Sequence, residues 1–251
     1  MENDQFFRRF CYPNGCLKNK LEIHDAQQLA TWEFQTVCQQ IQLILTHAPR
    51  IGSLNDLCLV HQQLFGSIYS WAGQVRTDYD LHKRTGGMDF FAQPAATIPL
   101  AWQYIENELL QPMLKRKQPT ANEYMKLLDN VNTLHPFREG NGRSTKTFLQ
   151  LVAMQHHQYL HFPRHQMKLI VALNAANYQG MAEQIQLINS DDAVRNYDQE
   201  VPFNDHQQTI CGHHFTSQAA YRIARDSVLF NLYEGWQPND TDIRKALGLS
   251  N

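Results

Sequence analysis

The stretch HPFREGNGRSTK, residues 135–146, decides the fold around it, because a glycine-rich, charged loop here separates two apolar segments. Gly140 and Gly142 flank Asn141, and glycine permits positive φ and a close approach of the backbone. Consecutive N–H groups in such a loop can converge on one anion, and the first-turn amides of a helix starting near Asn141 point the same way. Phe137 is predicted to anchor the loop against the core. The pattern therefore predicts a binding site for a polyanion such as a di- or triphosphate.

The charged side chains of this stretch are the types that phosphate transfer needs. Arg143 lies in the first turn of the predicted helix, and Lys146, three residues later, shares its face. Glu139 would repel a phosphate unless a cation lay between them, and Mg²⁺ is commonly held by one carboxylate together with phosphate oxygens. His135 is a candidate general base, since an unperturbed histidine has a pKa of about 6.5. Together these residues predict transfer of a phosphate-containing group.

The composition limits the kind of protein this can be. The chain of 251 residues has a formal net charge of −2, which gives no overall attraction to nucleic acid or acidic membranes. Its N-terminal residues lack the apolar run of a signal peptide, and no stretch reaches the roughly 20 apolar residues that span a bilayer. Five cysteines without a CxxC pair favour free thiols in a reducing compartment. We therefore expect a cytoplasmic protein that binds neither membranes nor nucleic acid.

The spacing of apolar residues predicts a mainly α-helical protein. Asp25 is placed to cap the first predicted helix. Helices are predicted at residues 25–46, 54–65, 95–114, 120–134, 144–157 and 167–188. Residues 75–93 differ, because Gly86 and Gly87 lie between residues that favour extended backbone, and we predict a short β-hairpin flap there. The sequence thus predicts a helical protein with one small β element.

A change of composition near residue 190 predicts the domain organisation. The segment NSDDAVRNYDQEVPFNDHQQ is polar and is typical of a linker. After it, residues 215–235 form an apolar-spaced segment that ends at Gly235, as a helix would. We therefore predict a domain over residues 1–190, with its flap at about 75–93 and its active-site loop at 135–146. Residues 191–251 are predicted to be a polar connection and a C-terminal helical extension.

The loop resembles the signature of the Fic family, H-x-F-x-[D/E]-G-N-G-R-x-x-R, most closely that of bacterial proteins of the cell-filamentation type. Two other stretches resemble the same family: YPNGCLKNKL, residues 12–21, and HQQLFGSIYSWAGQVRT, residues 61–77. The resemblance covers roughly residues 10–190. It implies a Fic-type helical bundle with a β-hairpin flap over the active site. It also implies transfer of AMP from Mg-ATP to a hydroxyl of a target protein, with release of pyrophosphate.

The resemblance assigns roles to single residues. His135 would deprotonate a Ser, Thr or Tyr hydroxyl of the target protein, and Glu139 would hold Mg²⁺. The target would dock along the flap by adding a strand to it. The residues that would bind or neighbour the nucleotide are Gly140, Asn141, Gly142, Arg143 and Lys146 in the loop and helix, and Lys83, Gly86 and Gly87 in the flap.

One position departs from the signature, since Lys146 stands where most members have arginine. Lysine keeps the positive charge but loses the two-pronged fork of a guanidinium. The alternatives therefore stay open that the chain transfers UMP, phosphate or phosphocholine. A catalytically quiet module that binds a nucleotide or a partner is a further alternative, although the intact His135 speaks against it.

The C-terminal helix offers a possible regulator. Many Fic proteins are restrained by a helix with the pattern [S/T]-x-x-x-E-[G/N], and Glu234–Gly235 resembles its end. Phe230 stands where that pattern has Ser or Thr, so a terminal packing helix is the simpler interpretation. The alternative of an inhibitory antitoxin helix stays open, either in cis, through Glu234, or in trans, from a separate protein. The sequence leaves open whether the chain is a toxin or a delivered effector.

Overall fold

The computed structural model describes residues 2–85, 88–162 and 167–189 and two short strands further on. The helices are α1 (Glu2–Phe10), α2 (Ala26–His47), α3 (Asn55–Phe65), α4 (Ile98–Tyr104), α5 (Gln111–Leu114), α6 (Ala121–Leu134), α7 (Asn141–Gln155), α8 (Met167–Asn174) and α9 (Tyr178–Ala182). The strands are β1 (His82–Thr85), β2 (Met88–Phe91), β3 (Tyr159–His161), β4 (Gln186–Ile188), β5 (Thr209–Ile210) and β6 (His213–His214). The predicted mainly α-helical class is confirmed. Across these residues, no helix has the length and apolarity to span a bilayer.

Two of the helices around the site, α2 and α6, begin at side-chain caps. Asp25 accepts a hydrogen bond from the backbone N–H of Gln28, 2.7 Å away, so the predicted cap of α2 is confirmed. Thr120 and Glu123 form a reciprocal capping box at the start of α6. Helix α7 begins at Asn141, as the glycine-rich loop predicts. The last turn of α6 and the first turn of α7 therefore enclose the loop of interest.

The flap is a two-stranded antiparallel hairpin, but it is shorter than predicted. Strands β1 and β2 pair with Lys83 opposite Phe90, and residues 86–87, which separate the strands, lie outside the described residues. Residues 75–81 are irregular instead of extending the hairpin. The cause is Arg76, whose backbone N–H donates to the carbonyl of Pro136 at 2.8 Å and so ties this segment to the loop after α6.

Two further predictions are corrected. Residues 167–188 do not form one helix, because Ala176 adopts a left-handed conformation (φ 48°) and Asn177 caps a new helix by accepting from the N–H of Gly180. The flap is also not the single β element: β3 pairs with β4, and β5 pairs with β6, both antiparallel. Strands of two or three residues are too short to produce a period in the sequence. The prediction of a polar linker after residue 190 and of a helix at 215–235 falls on residues outside those described.

The core is formed where α2, α3, α6 and α7 pack together. Its fully buried side chains include Ile41 of α2, Leu64 of α3, Val131 of α6 and Phe148 of α7. A π-helical segment, Ile105–Leu110, joins α4 to α5, and this segment and α4 pack against α6. These contacts hold the end of α6 and the start of α7 against the rigid centre of the domain.

Gly140 lies in close contact with α3. It has φ 80°, and a Cβ atom built on it would lie 2.5 Å from two ring carbons of Phe65 in α3. Gly142, two residues on, would place a Cβ atom in open space, with no atom within 4 Å. Gly140 is therefore required by both its backbone conformation and its contact, while Gly142 is not required by the fold.

We predict that Gly140→Ala destabilises the protein by about 3 kcal/mol, because it combines a left-handed non-glycine residue with overpacking against Phe65. The matched control, Gly142→Ala, should leave stability unchanged or raise it by up to about 1 kcal/mol, since alanine favours the helix interior. Chemical denaturation of both variants and the wild type measures the difference. Equal stabilities of the two variants would contradict this account of Gly140.

Candidate active site

His135 lies at the end of α6 with a proton-accepting nitrogen held ready. The residue adopts a left-handed conformation (φ 43°, ψ 60°) and is only 8% exposed. Its Nδ1 lies 3.2 Å from the carbonyl oxygen of Asn132, and because a carbonyl only accepts, Nδ1 carries the proton. The other ring nitrogen, Nε2, is buried and has no hydrogen-bond partner within the described part of the chain. The ring of Phe90, from the flap, packs beside the imidazole, with ring centres 5.0 Å apart.

The environment keeps the His135 imidazole neutral. Burial lowers its pKa to about 3, and the positive charge of Lys83 acts in the same direction. The carboxylate of Glu139 and the Asn132 carbonyl raise the pKa but do not compensate. The sequence suggested an ordinary histidine pKa, and the enclosed position of the ring is the reason for the difference. At neutral pH, Nε2 therefore presents a lone pair.

Glu139 is an ionised carboxylate held between two cations. Lys83 of β1 lies 2.8 Å from its Oε2, and Arg138 lies 2.8 Å from its Oε1. Burial raises the pKa of Glu139, but the charges of Lys83 and Arg138 outweigh burial and lower it overall. The structure thus brings the predicted flap residue Lys83 to the predicted metal ligand, Glu139.

The donor chemistry at Glu139 fits Mg²⁺ when phosphate is also present. Glu139 supplies an ionised carboxylate oxygen, the kind of ligand that Mg²⁺ prefers. No group of three or more His, Cys, Asp or Glu side chains suited to a metal occurs among the residues described. The remaining ligands would therefore come from phosphate oxygens and water, as is usual for Mg²⁺ bound with a nucleotide.

The start of α7 presents backbone amides without a side-chain cap. Its N-cap is Gly140, which has no side chain to accept from them. Asn141 is buried and uses its side chain within the loop: Oδ1 accepts from the N–H of Phe137 and Nδ2 donates to the Phe137 carbonyl, both at 2.9 Å. Asn141 can therefore contact a nucleotide through its backbone but not through its amide group. Phe137 is fully buried, so its predicted role as an anchor is confirmed.

Arg143 projects from the first turn of α7 into a largely enclosed position. Its Nη2 lies 2.5 Å from Oε1 of Glu33 in α2, and its guanidinium lies 4.7 Å from the centre of the Phe65 ring. Its Nη1 is buried without a hydrogen-bond partner in the ranges that the structure covers. The uncapped backbone amides of α7 and this N–H edge of Arg143 can both donate hydrogen bonds to a bound anion.

Lys146 is one turn further along α7, with its ammonium 5.2 Å from the centre of the Phe162 ring. Gly86, Gly87 and Glu234 lie outside the described residues, so their predicted roles stay predictions.

His61 of α3 is a site residue that the sequence analysis missed. It is fully buried and stacks on Phe137 with ring centres 3.8 Å apart. The N–H of Gly73 donates to its Nδ1 at 2.8 Å, so its Nε2 carries the proton and donates to the carbonyl of Glu139, also at 2.8 Å. Burial lowers the pKa of His61 to about 4, although the Glu139 carbonyl acts against this. A neutral His61 in one tautomer therefore fixes the backbone of Glu139.

Arg76 is a second missed residue, and it links the flap to the loop. Its side chain is buried, with the whole residue 2% exposed. The guanidinium donates to the carbonyl oxygens of His135 at 2.8 Å, Leu134 at 3.1 Å, Tyr79 at 3.1 Å and Gln93. Two of these carbonyls end α6, and the other two flank the flap. The position of the flap is thereby tied to the backbone of His135.

A signal for these residues exists in the sequence. Both His61 and Arg76 fall in the stretch HQQLFGSIYSWAGQVRT, and His61 lies four residues before Phe65 on an apolar helix face. A polar residue on a buried face indicates a specific hydrogen-bonding task. Glu33, within α2, follows the same rule, since it lies on the face that carries Phe34 and Val37 into the core.

The low pKa of His61 predicts a pH-dependent stability. Unfolded histidine takes up a proton near its ordinary pKa of about 6.5, whereas folded His61 does so only near 4. The unfolded state therefore binds more protons between these values, and stability falls as the pH drops through them. From pH 7.5 to pH 5, we expect His61 alone to lower the free energy of unfolding by roughly 2 kcal/mol.

We predict that His61→Gln, whose amide can still donate to the Glu139 carbonyl, removes this part of the pH dependence. Urea denaturation at pH 7.5 and pH 5 measures it. His47→Gln, at an exposed position of α2, is the control and should lose stability as the wild type does. The same slope for His61→Gln and the wild type would show that His61 is not held neutral.

Comparison with known proteins identifies the relatives of this chain. The model of the Fic/DOC family matches residues 52–153, which contain α3, the flap, α6 and most of α7. The chain is 31% identical over 162 residues to the probable protein adenylyltransferase y4lH of Sinorhizobium fredii, covering 57% of this chain and 73% of that protein. It is 28% identical over 156 residues to the probable protein adenylyltransferase Fic of Salmonella typhimurium, covering 58% and 72%. A protein adenylyltransferase of Bartonella henselae is 30% identical over 169 residues, but only 31% of its length is covered.

Solved structures share the fold. The N-terminal Fic domain of a putative cell filamentation protein from Bartonella quintana, with bound ADP, superposes with a TM-score of 0.64 at 16% identity, over 75% of this chain and 98% of that one. The BepC protein of Bartonella tribocorum, with bound AMPPNP, gives 0.61 at 21% identity, over 71% and 97%. These likenesses concern the fold alone. The family match and the identity to the relatives show that the chain belongs to the Fic/DOC family.

Proposed function

We propose that this chain transfers AMP from ATP to a hydroxyl group of a target protein and releases pyrophosphate. The relatives from Salmonella typhimurium and Sinorhizobium fredii are named probable protein adenylyltransferases. The observation that carries the proposal is the buried, unprotonated Nε2 of His135, which lacks a partner among the described residues and belongs to the loop that leads into an uncapped helix start. A base beside an anion site is what hydroxyl attack on a phosphate requires.

In the proposed reaction, His135 acts as the general base. The hydroxyl group of the target gives its proton to Nε2 of His135, and its oxygen forms a bond to the α-phosphorus of ATP. The bond from the α-phosphorus to the oxygen that bridges to the β-phosphate breaks, and pyrophosphate leaves with that oxygen. His135 then loses the proton to solvent. Burial beside Lys83, which lowers the His135 pKa, favours this return to the neutral form.

The phosphates of ATP are proposed to bind at the start of α7. The backbone amides of residues 140–142 and the free N–H edge of Arg143 supply the donors. Lys146 and Lys83 add positive charge, and Gly86 and Gly87 remain predicted neighbours in the flap. Open space beside the Cα of Gly142 allows a phosphate to approach the backbone there.

Glu139 is proposed to hold Mg²⁺ together with the phosphates. When bound, the ion would neutralise phosphate charge. Lys83 and Arg138 keep the Glu139 carboxylate ionised by lowering its pKa, and His61 fixes its backbone. Glu139 is thereby ready to accept a cation at neutral pH.

The flap is proposed to dock the target protein over His135. Lys83 and Phe90 are opposite each other in the hairpin, so their side chains share one face, and each reaches the site: Lys83 contacts Glu139 and Phe90 packs beside His135. Phe91, on the other face of β2, is 69% exposed. Strand addition along such a hairpin reads little sequence beyond a few side-chain pockets. Regulation by an inhibitory helix, through Glu234 or from a separate antitoxin, stays a prediction.

We predict that the purified chain, incubated with Mg²⁺ and a cell lysate, labels protein from α-labelled ATP and not from γ-labelled ATP. The label should be lost in His135→Ala, because no other neutral base lies at that position. His135→Asn is the better-folded companion variant, since asparagine tolerates the left-handed conformation, and it should also be inactive. His47→Ala, at an exposed position, should label as the wild type does.

Other outcomes distinguish the alternatives. Label from γ-labelled ATP alone would make the chain a kinase and overturn the proposal. Label from both forms would indicate transfer of a larger portion of ATP. No label from ATP, with label from UTP or a phosphocholine donor, would identify a different transferred group. Nucleotide binding without any labelled product would favour the catalytically quiet module.

A further inference from the structure

Glu33 is a buried carboxylate outside the family signature, and it meets the signature directly. It lies in α2, more than a hundred residues before the loop in sequence, and its side chain is 12% exposed. Oε1 of Glu33 lies 2.5 Å from Nη2 of Arg143, and Oε2 accepts a hydrogen bond from the hydroxyl of Tyr69. Both oxygens of this carboxylate are therefore engaged by groups from other parts of the chain.

The arrangement leaves Arg143 few orientations. Its side chain is 14% exposed, and a guanidinium in such a position needs a counter-charge to offset the loss of hydration. Glu33 supplies that charge at one edge of the planar group, and the Phe65 ring supports its face at 4.7 Å. The same ring touches Gly140, the N-cap of α7. The guanidinium is thus fixed in place relative to the uncapped start of the helix.

The second edge of the Arg143 guanidinium, at Nη1, is not used in the contact with Glu33. Nη1 of Arg143 is buried and makes no hydrogen bond with any residue that the structure describes. A buried N–H group without a partner is costly, and an oxygen of a bound anion would satisfy it. Arginine binds phosphate through such a preoriented edge, and the geometry of the fork is lost if the group rotates.

We infer that Glu33 is a positioning residue for the nucleotide phosphates, which holds Arg143 so that its free N–H edge meets a phosphate oxygen. This inference rests on the proposed function, because it takes the start of α7 as the phosphate site. Tyr69 in turn orients Glu33, since its hydroxyl donates to the Glu33 carboxylate. The ring of Tyr69 is held by stacking on Trp71, with ring centres 4.4 Å apart. Glu33 does not touch the substrate in this arrangement and acts only through Arg143.

Two other roles for Glu33 would give different changes in nucleotide binding. If the carboxylate competed with phosphate for Arg143, removing its charge would strengthen nucleotide binding. If Glu33 only stabilised the fold, removing its charge would lower the melting temperature without a selective effect on phosphate binding. If Glu33 positions Arg143, removing its charge should weaken the binding of every ligand that carries the phosphates.

The test is isothermal titration of the full chain with AMPPNP and, separately, with inorganic pyrophosphate. We expect Glu33→Gln to weaken both by about tenfold, since a charge-assisted hydrogen bond that orients Arg143 is lost. Tyr69→Phe, which keeps the carboxylate but removes its hydroxyl partner, should weaken both by about threefold. The melting temperature of each variant is recorded alongside.

A second carboxylate–tyrosine pair in the chain provides the control. Asp129 of α6 is buried and hydrogen-bonded to Tyr178 of α9, and neither is among the residues proposed to bind nucleotide. Asp129→Asn and Tyr178→Phe should lower the melting temperature but change both dissociation constants by less than about twofold.

The outcomes separate this inference from the proposed function. Tighter binding by Glu33→Gln, or unchanged binding by both Glu33→Gln and Tyr69→Phe, overturns the inference. A wild-type chain that binds neither AMPPNP nor pyrophosphate overturns it too. A wild type that binds AMPPNP but transfers no AMP refutes the proposed function, and the expected losses in the two variants would then still support the inference.

Discussion

The structure depends on how the buried backbone between α6 and α7 finds hydrogen-bond partners. Residues 135–140 form no helix or strand with each other, yet most of this segment is enclosed by the core. Its carbonyl groups must be satisfied by groups from elsewhere, because an unpaired buried carbonyl costs as much as a lost hydrogen bond. Arg76 donates to three carbonyls, from its guanidinium to those of Leu134, at the end of α6, and His135, and from its backbone N–H to that of Pro136. The side chain of Asn141 donates to the carbonyl of Phe137, and that of His61 donates to the carbonyl of Glu139. These side chains give an irregular loop the rigidity that a catalytic site needs.

The electrostatics of the site follow from the same enclosure. Burial keeps His135 neutral, and it also raises the pKa of Glu139, but the charges of Lys83 and Arg138 outweigh burial there. The guanidinium of Arg143 pairs with the carboxylate of Glu33. The result is a neutral base, an ionised carboxylate and a guanidinium within one loop and one helix turn. Groups in these three states are what transfer of a phosphate-containing group to a hydroxyl uses.

Much of this arrangement could be predicted from the sequence, because the signature residues are contiguous. The helices at α2, α3, α6 and α7, the cap at Asp25 and the anchoring by Phe137 follow from local patterns. The supporting residues Glu33, His61 and Arg76 could not be assigned, since each acts on a loop that is at least 58 residues away in sequence. Their partners are backbone carbonyls or a single guanidinium, and no local spacing encodes those. The lowered pKa of His135 was missed for the same reason, since it depends on the burial of the ring and on the charge of Lys83, which lies 52 residues earlier in the sequence.

The most direct test of this account is the protonation state of His135 itself. A long-range proton–nitrogen NMR spectrum of the imidazole, assigned by comparison with His135→Asn and recorded from pH 8 to pH 5, reports both nitrogens. The account predicts a neutral ring throughout, with the proton on Nδ1 and a bare Nε2, because burial and Lys83 lower the pKa of His135 to about 3. A ring that becomes doubly protonated near pH 6, or one that carries its proton on Nε2, would contradict the claim that a buried lone pair is held ready as the base.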